Sequence, residues 1–497
     1  MSQGLLARML REATLFVIVE GVILLSFFVY YAMLAGRFST EEVGWYALMR
    51  RVLALAMPLV TLGLAEGLAK YLATHPGRAA RVRLMAISGT LIAAATAGLL
   101  AFAAAAPDRA ATMLFADVRW ARYALPFAAF TMGIAVHMYA CGYLRGTLRI
   151  GALGVLQVVN LGILPIAVLA IAGDRALHEI VLATGVATAL TGVLFLLAGA
   201  RRAPSSGGQA PDGLSTSAFL RFSVTRVPAA LISAGLASLV PVLAQRHIPV
   251  EQVGFLSIAV ALLIGLAGAI APLGVVLLPH VSALWASDER ERVSGRVHLL
   301  IGAAIQIFAF MAAQLILFAD LVIGFWVGTA YVEGADVARV VLIAALGYGF
   351  YNATRTVLDA VTDRPINAVN AALALAVVAF LALLVPLAPS VIDRAMLYAG
   401  CIAVGCSLLG LATYRVLRSL FPGGGREDLR HLVWGLGAAA GTVAIAVLLR
   451  PVAARGLAWL LAVEVVLGLV FIGTLWAARF EWVRLVASRL LPLPAGR

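Results

Sequence analysis

The sequence predicts an all-α polytopic membrane protein. About fourteen transmembrane helices are expected, as two six-helix repeats and two further helices at the C-terminal end. Three observations carry this reading. Of the 497 residues, 63% are hydrophobic and 12% are charged, against about 25% charged in a soluble domain. That is too little charge to cover a surface facing water. The apolar residues gather into long runs separated by short polar punctuation. One piece of that punctuation occurs twice. "STEEVGWYAL" (Ser39–Leu48) and "PVEQVGFLSI" (Pro249–Ile258) share Glu41/Glu251, Val43/Val253, Gly44/Gly254 and an aromatic at Trp45/Phe255.

A helix crosses the hydrocarbon core with about 20 apolar residues. The first run, 13–36, is too long for a signal-peptide core. Gly36-Arg37-Phe38 follows it in place of a small-residue cleavage site, so it reads as an uncleaved first span. The second run, 44–68, opens on the first copy of the repeated stretch, and "THPGRAARVR" separates it from 84–106. "PDRA" precedes 121–142, and "AGDRALHE" divides 151–172 from 179–200. "SSGGQAPDG" leads to 222–246, and the second copy of the stretch opens 255–280. The runs 297–319, 338–361, 366–386 and 395–417 follow, with "TDRP" between the middle two. "FPGGGREDLR" introduces 432–449 and 456–477. No segment alternates as a barrel strand would, and unpaired backbone excludes other spanning structures.

The larger part of the 37 Lys and Arg falls in loops on the side of the N-terminus. The positive-inside rule makes that side cytoplasmic. An even span number puts both termini there. Six spans separate the two copies of the stretch, so the halves have the same orientation and form a parallel repeat. The expected boundaries are a first lobe at 1–200, a cytoplasmic linker at 201–221, a second lobe at 222–417 and a tail at 418–497 with the last two spans. The net charge of +13 is then mostly a topology signal, aided by attraction to anionic membrane lipids. It forms no basic face with interleaved aromatics, so nucleic acid is not an expected partner. Cys141, Cys401 and Cys406 lie in apolar runs without zinc spacing. No metal, no cofactor and no catalytic residue is expected. The chain has no G-x-x-x-x-G-K-[ST], H-E-x-x-H or G-x-S-x-G motif.

A long apolar span, then "GRFSTEEVGWYAL" and "LGLAEGLAKYLA", opens the first half; "TRVPAALISAG" and "EQVGFLSIA" open the second. With "GFWVGTAYVEGADVARVVLIAAL" and "LDAVTDRPINAVN", the pattern resembles the polysaccharide-transporter branch of the multidrug/oligosaccharidyl-lipid/polysaccharide (MOP) flippase superfamily. The resemblance spans roughly residues 10–420. It implies two lobes around a central cavity. It further implies that a lipid-linked oligosaccharide of undecaprenyl-pyrophosphate type is flipped from the cytoplasmic to the periplasmic leaflet of the bacterial inner membrane. Glycosyltransferases or a polymerase of the same pathway are its implied partners. Peptidoglycan-precursor flippases of the superfamily also have fourteen spans, but their span-2 motif is echoed here only by Glu66-Gly67-Leu68. Two alternatives stand beside this reading. One is a cation-coupled small-molecule exporter of the same fold. The other is a polytopic polymerase or ligase. The longest outside loop, 320–337, offers the latter no His or Arg.

An Arg or Asp near the centre of a span costs about 2.5–3.5 kcal/mol, so such residues face a wet cavity or pair. The cation candidates for an anionic headgroup are Arg50 and Arg51 in span 2, Arg226 in span 7 and Arg355 in span 10. A guanidinium suits phosphate because its forked donors never deprotonate. Arg50 and Arg51 point about 100° apart, so both cannot face one narrow cavity. Their repeat-related positions are Val260 and Ala261, which makes the site one-sided. Glu20 in span 1 is a candidate for coupling or for pairing with Arg50 or Arg51. Asp359 is the expected i, i+4 partner of Arg355. Gln157, Asn160, Asn352, Asn367 and Asn370 are polar candidates for a saccharide passage. Gln306 and Gln314 are read as interhelical hydrogen-bonding residues and His137 as a core residue, ahead of a functional role.

Overall fold

A computed structural model describes residues 3–74, 77–201, 215–268, 281, 285, 290–362, 364–389 and 393–490. Most of the expected linker and the far end of the eighth run lie outside these residues. Among them every regular element is helical. Thirteen helices are long and apolar enough to cross a membrane. The chain divides into two compact units, Met1–Ser257 and Ile258–Arg497. This division follows compactness, whereas the expected lobe boundary follows the repeat.

The first unit holds α1 (Gln3–Ala35), α2 (Thr40–Thr61), α3 (Leu64–Thr74), α4 (Arg78–Ala105) and α5 (Pro107–Phe115). It continues with α6 (Ala124–Gly146), α7 (Ile150–Gln157), α8 (Leu164–Ile171) and α9 (Leu177–Arg201). It closes with α10 (Thr216–Val224), α11 (Val227–Ala244) and the start of α12 (Val250–Gly268). The repeated stretch is a helix entry in both places. Ser39 caps α2: its Oγ accepts from the Glu42 N–H at 3.2 Å, and the Glu42 carboxylate accepts from the Ser39 N–H at 3.3 Å. This reciprocal pair is a capping box. Glu41 and Glu251 lie in the first turns of α2 and α12, where helix dipoles favour negative charge.

The shared glycine has a steric reason. A Cβ on Gly44 would stand 2.6 Å from the Val250 oxygen, and one on Gly254 would stand 2.5 Å from Gly44 Cα. The two helix entries therefore touch each other, backbone to backbone, at equivalent positions of the repeat. Arg119 approaches Glu41 at 3.5 Å and also feels Glu251. Asp117 accepts from the Arg119 N–H at 2.9 Å and from its guanidinium at 2.7 Å. Those donors hold the Asp117 carboxyl below the usual carboxylate range. Trp45, the aromatic of the first copy, is fully buried against Tyr123, with ring centroids 3.9 Å apart.

The second unit holds α13 (Arg290–Leu317), α14 (Ala319–Trp326), α15 (Ala335–Leu342) and α16 (Ala345–Val361). After these come α17 (Ile366–Leu384), α18 (Arg394–Leu420), α19 (Gly425–Ala453), α20 (Leu457–Ala477) and α21 (Glu481–Leu490). The run expected at 338–361 is not one helix. It breaks at Ile343–Ala344 into α15 and α16, which are 8 and 17 residues long. Among the described residues it is the one expected run without a counterpart among the thirteen candidate spans.

Helices α19 and α21 are tied to α13 by polar contacts. The Gln314 amide donates to Thr442 Oγ1 at 2.9 Å, and the Trp482 indole N–H donates to Gln306 Oε1 at 2.6 Å. Asp320 accepts from Arg339 at 3.0 Å and from Arg450 at 2.5 Å. Arg450 also donates to the Leu317 carbonyl at 2.9 Å. Gln306 and Gln314 are thus interhelical bonds.

Candidate functional site

Arg50 lies nearly three helical turns into α2, with Tyr46 one turn before it. In the structure Arg50 lines a half-enclosed cavity of about 110 Å³ inside the first unit, together with Tyr30, Tyr31, Tyr46, Asn160 and Thr188. The Tyr46 ring lies 5.6 Å from that of Tyr30 and 5.8 Å from that of Tyr31, so three phenols gather around the guanidinium. Among the described residues no carboxylate pairs with Arg50; its titratable neighbours are those neutral phenols.

The opposite wall is made by an irregularity. Between α7 and α8 the backbone widens into a π-helix, Val158–Ile163. Such turns recur at functional sites. Gly162 lets this turn close on α1, where a Cβ would meet Ser26 Oγ at 2.9 Å. Asn160, 1% exposed, is held by two bonds from its amide nitrogen. One goes to the Thr188 carbonyl and one to His137 Nδ1, both at 3.2 Å. That leaves the other His137 nitrogen facing Cys141 Sγ at 3.5 Å. His137 therefore braces Asn160 from behind. Asn160 Oδ1 and Thr188 Oγ1 are buried without a hydrogen-bond partner. The cavity thus offers one permanent cation, three phenols, an amide oxygen and a hydroxyl.

The other candidates fall elsewhere. Arg51 turns away from this cavity and donates to the Ser257 carbonyl at 2.7 Å, as the angle between adjacent side chains requires. Glu20 is exposed on α1 and forms no ion pair with Arg50. The expected pairing of the two is replaced by the tyrosine cluster. Gln157 is half-buried at the end of α7, with its Oε1 unbonded.

Arg226 is exposed at the junction of α10 and α11 and lies over the Phe222 ring at 4.5 Å. In the second unit Arg355 is half-buried, 5.9 Å from the Tyr351 ring centroid. Its expected ion pair with Asp359 is not formed. Asn367 intervenes, donating to Asp359 Oδ1 and to the Arg355 carbonyl, each at 2.8 Å. The short "TDRP" turn returns the chain so that the first turn of α17 meets the last turns of α16. Asn352 bonds back to the Tyr348 carbonyl of its own helix at 2.8 Å, and Asn370 is buried on α17.

Only Arg50 and Asn160, of the sequence candidates, share the cavity. The phenols and Thr188 were not singled out by sequence, because aromatic residues and threonine in an apolar span read as core. The signal was Tyr46 four residues before Arg50, one turn up the same face.

No family model matches the chain, and no curated protein matches it. Solved structures match it closely in fold. The lipid II flippase MurJ, in an inward closed conformation, aligns over 97% of this chain and 99% of its own, with a TM-score of 0.66 and 11% identity. A MATE-family multidrug resistance transporter of the MOP superfamily, facing inward, aligns over 81% of this chain and 97% of its own, with a TM-score of 0.61 and 14% identity. A MOP-superfamily transporter from Pyrococcus furiosus, described as having a binding pocket of reversed polarity, aligns over 83% of this chain and 94% of its own, with a TM-score of 0.53 and 15% identity. At these identities the likeness speaks to architecture, and the chain has the helical fold of the MOP-superfamily transporters.

Proposed function

We propose that this protein is a flippase for a lipid-linked, anionic saccharide. It moves the headgroup from the cytoplasmic to the periplasmic leaflet of the bacterial inner membrane by alternating access, in the service of polysaccharide assembly. One observation carries the reading: Arg50 lies in a membrane-embedded cavity with phenols, an amide and a hydroxyl around it and no carboxylate against it. A half-buried cation within a membrane span and without a counter-charge is costly, and an anionic group would supply that charge. The cavity volume suits one phosphate-sized group, not a whole saccharide. Arg50 is thus a phosphate anchor, with the glycan outside the cavity. MurJ, a lipid II flippase by name, aligns along nearly the whole chain, which agrees with a lipid-linked cargo. A cation-coupled exporter is less well supported, since no lining residue of the cavity is acidic.

The test is export of surface glycan by cells carrying Arg50→Ala or Arg50→Lys. The Ala variant should insert normally and export nothing measurable. The Lys variant should recover part of the export, because an ammonium binds phosphate as a point charge and not as a fork. Normal export by Arg50→Ala would refute the anchor.

A further inference from the structure

Lys70 is the only lysine in a chain whose other fixed cations are all arginine. It lies outside the cavity described above. Its Nζ stands 4.0 Å from the centroid of the Phe222 ring, the same ring that Arg226 covers at 4.5 Å. Two cations from distant parts of the sequence thus share one aromatic platform.

The platform is built by two glycines. Gly63 has φ +66, and a Cβ there would stand 2.3 Å from the Ser223 oxygen. A Cβ on Gly67 would stand 2.1 Å from Ser223 Oγ. Without side chains at these positions, α10 settles against α3 and buries Phe219 completely. Phe222 is carried to Lys70, and Tyr71 meets both phenyl rings edge-on, at 5.5 and 5.8 Å. Helix α10 stops at Val224, and Pro228 near the start of α11 fixes Arg226 at the junction.

Both cations are exposed, and neither forms an ion pair among the described residues. Glu66, one turn before Lys70, is exposed and forms none either. Each cation–ring contact contributes about 0.5–1 kcal/mol at an exposed site, but it does not neutralise the charge. The two like charges repel, and an anion reaching both would relieve that repulsion. The positive-inside rule puts this end of α3 at the cytoplasmic surface, where lipid phosphates lie.

We infer that Lys70 and Arg226 form a capture site for the phosphate end of the transported lipid in the cytoplasmic leaflet, a reading that rests on the flippase function proposed above. The flexible ammonium and the planar fork complement each other on phosphate oxygens.

The single lysine makes the test direct. The full-length protein in phosphatidylcholine nanodiscs is treated with an amine-acylating reagent, and modification of the Lys70 peptide is followed by mass spectrometry. Polyprenyl phosphate added to the bilayer should slow acylation about tenfold, corresponding to about 1.4 kcal/mol of protection. Arg226→Gln should remove most of that protection, and Arg50→Ala should keep it while losing export. Equal protection by phosphatidylglycerol would overturn the assignment in favour of ordinary headgroup contact. Equal protection by soluble inorganic phosphate would overturn it in favour of a free-anion site. Absence of protection by any of the three would remove the site altogether. Any of these three failures leaves the proposed function standing so long as export still depends on Arg50.

Discussion

Two arginine clusters in this chain, one beside the loop after α13 and one within a span of the first unit, treat their charge in opposite ways. In the second unit Arg339 and Arg450 converge on one carboxylate, Asp320, and Arg450 adds a bond to a backbone carbonyl. In the first unit Arg50 has hydroxyl-bearing rings beside it and no acid. The first arrangement consumes its charge in holding helices together. The second keeps its charge available. The difference separates a rivet from a candidate binding site more reliably than the presence of an arginine in a span does.

Substitutions can break or sharpen that contrast. The largest effect belongs to Arg50→Ala, which should cut export at least about 100-fold, the upper range for losing a charge-assisted bond. Its melting temperature in detergent should barely move. Asp320→Ala should do the reverse. It leaves two arginines without their shared partner and should cost about 1–3 kcal/mol of stability, read as a lowered unfolding temperature. Export per folded molecule should be retained. Gln314→Leu should cost only about 0.6 kcal/mol, the usual worth of an interhelical bond in a membrane, seen as a slight loss of thermal stability. Arg119→Ala removes two ion pairs of an exposed arginine, with Glu41 and Asp117, and should lower the unfolding temperature least, because solvent screens both pairs. If Arg50→Ala destabilises the fold as much as Asp320→Ala does, the two clusters are of one kind and the contrast fails.

Much of the architecture was legible because lipid leaves few options. Long apolar runs had to be helices, and the recurring Glu-x-Val-Gly had to mark equivalent helix entries. Its meaning became physical only in three dimensions, where Gly44 and Gly254 prove to touch. The broken run at 338–361 was not legible. Its break falls at Ile343–Ala344, where no proline or glycine marks it. The candidate site was legible by half. Arg50 and Asn160 stood out by polarity, but Tyr30, Tyr31 and Tyr46 look like core until their rings are seen around a guanidinium. The Arg355–Asp359 pairing failed because periodicity within one helix does not foresee a competitor. Asn367 arrives from the next helix and takes the carboxylate.

The π-turn at Val158–Ile163 carries a consequence for how this region tolerates change in length. A helix advances about 100° per residue, so one surplus residue in the turn re-phases everything after it. Deleting Val159 would let the segment wind as an ordinary helix and swing the downstream side chains around its axis by about that angle. Pro165, which lines the cavity beside Arg50, would leave that wall, and the outward face of α8 would be exchanged for another. A single-codon deletion here, conservative by composition and invisible to a hydropathy plot, should therefore be more damaging than most point substitutions in the same helix.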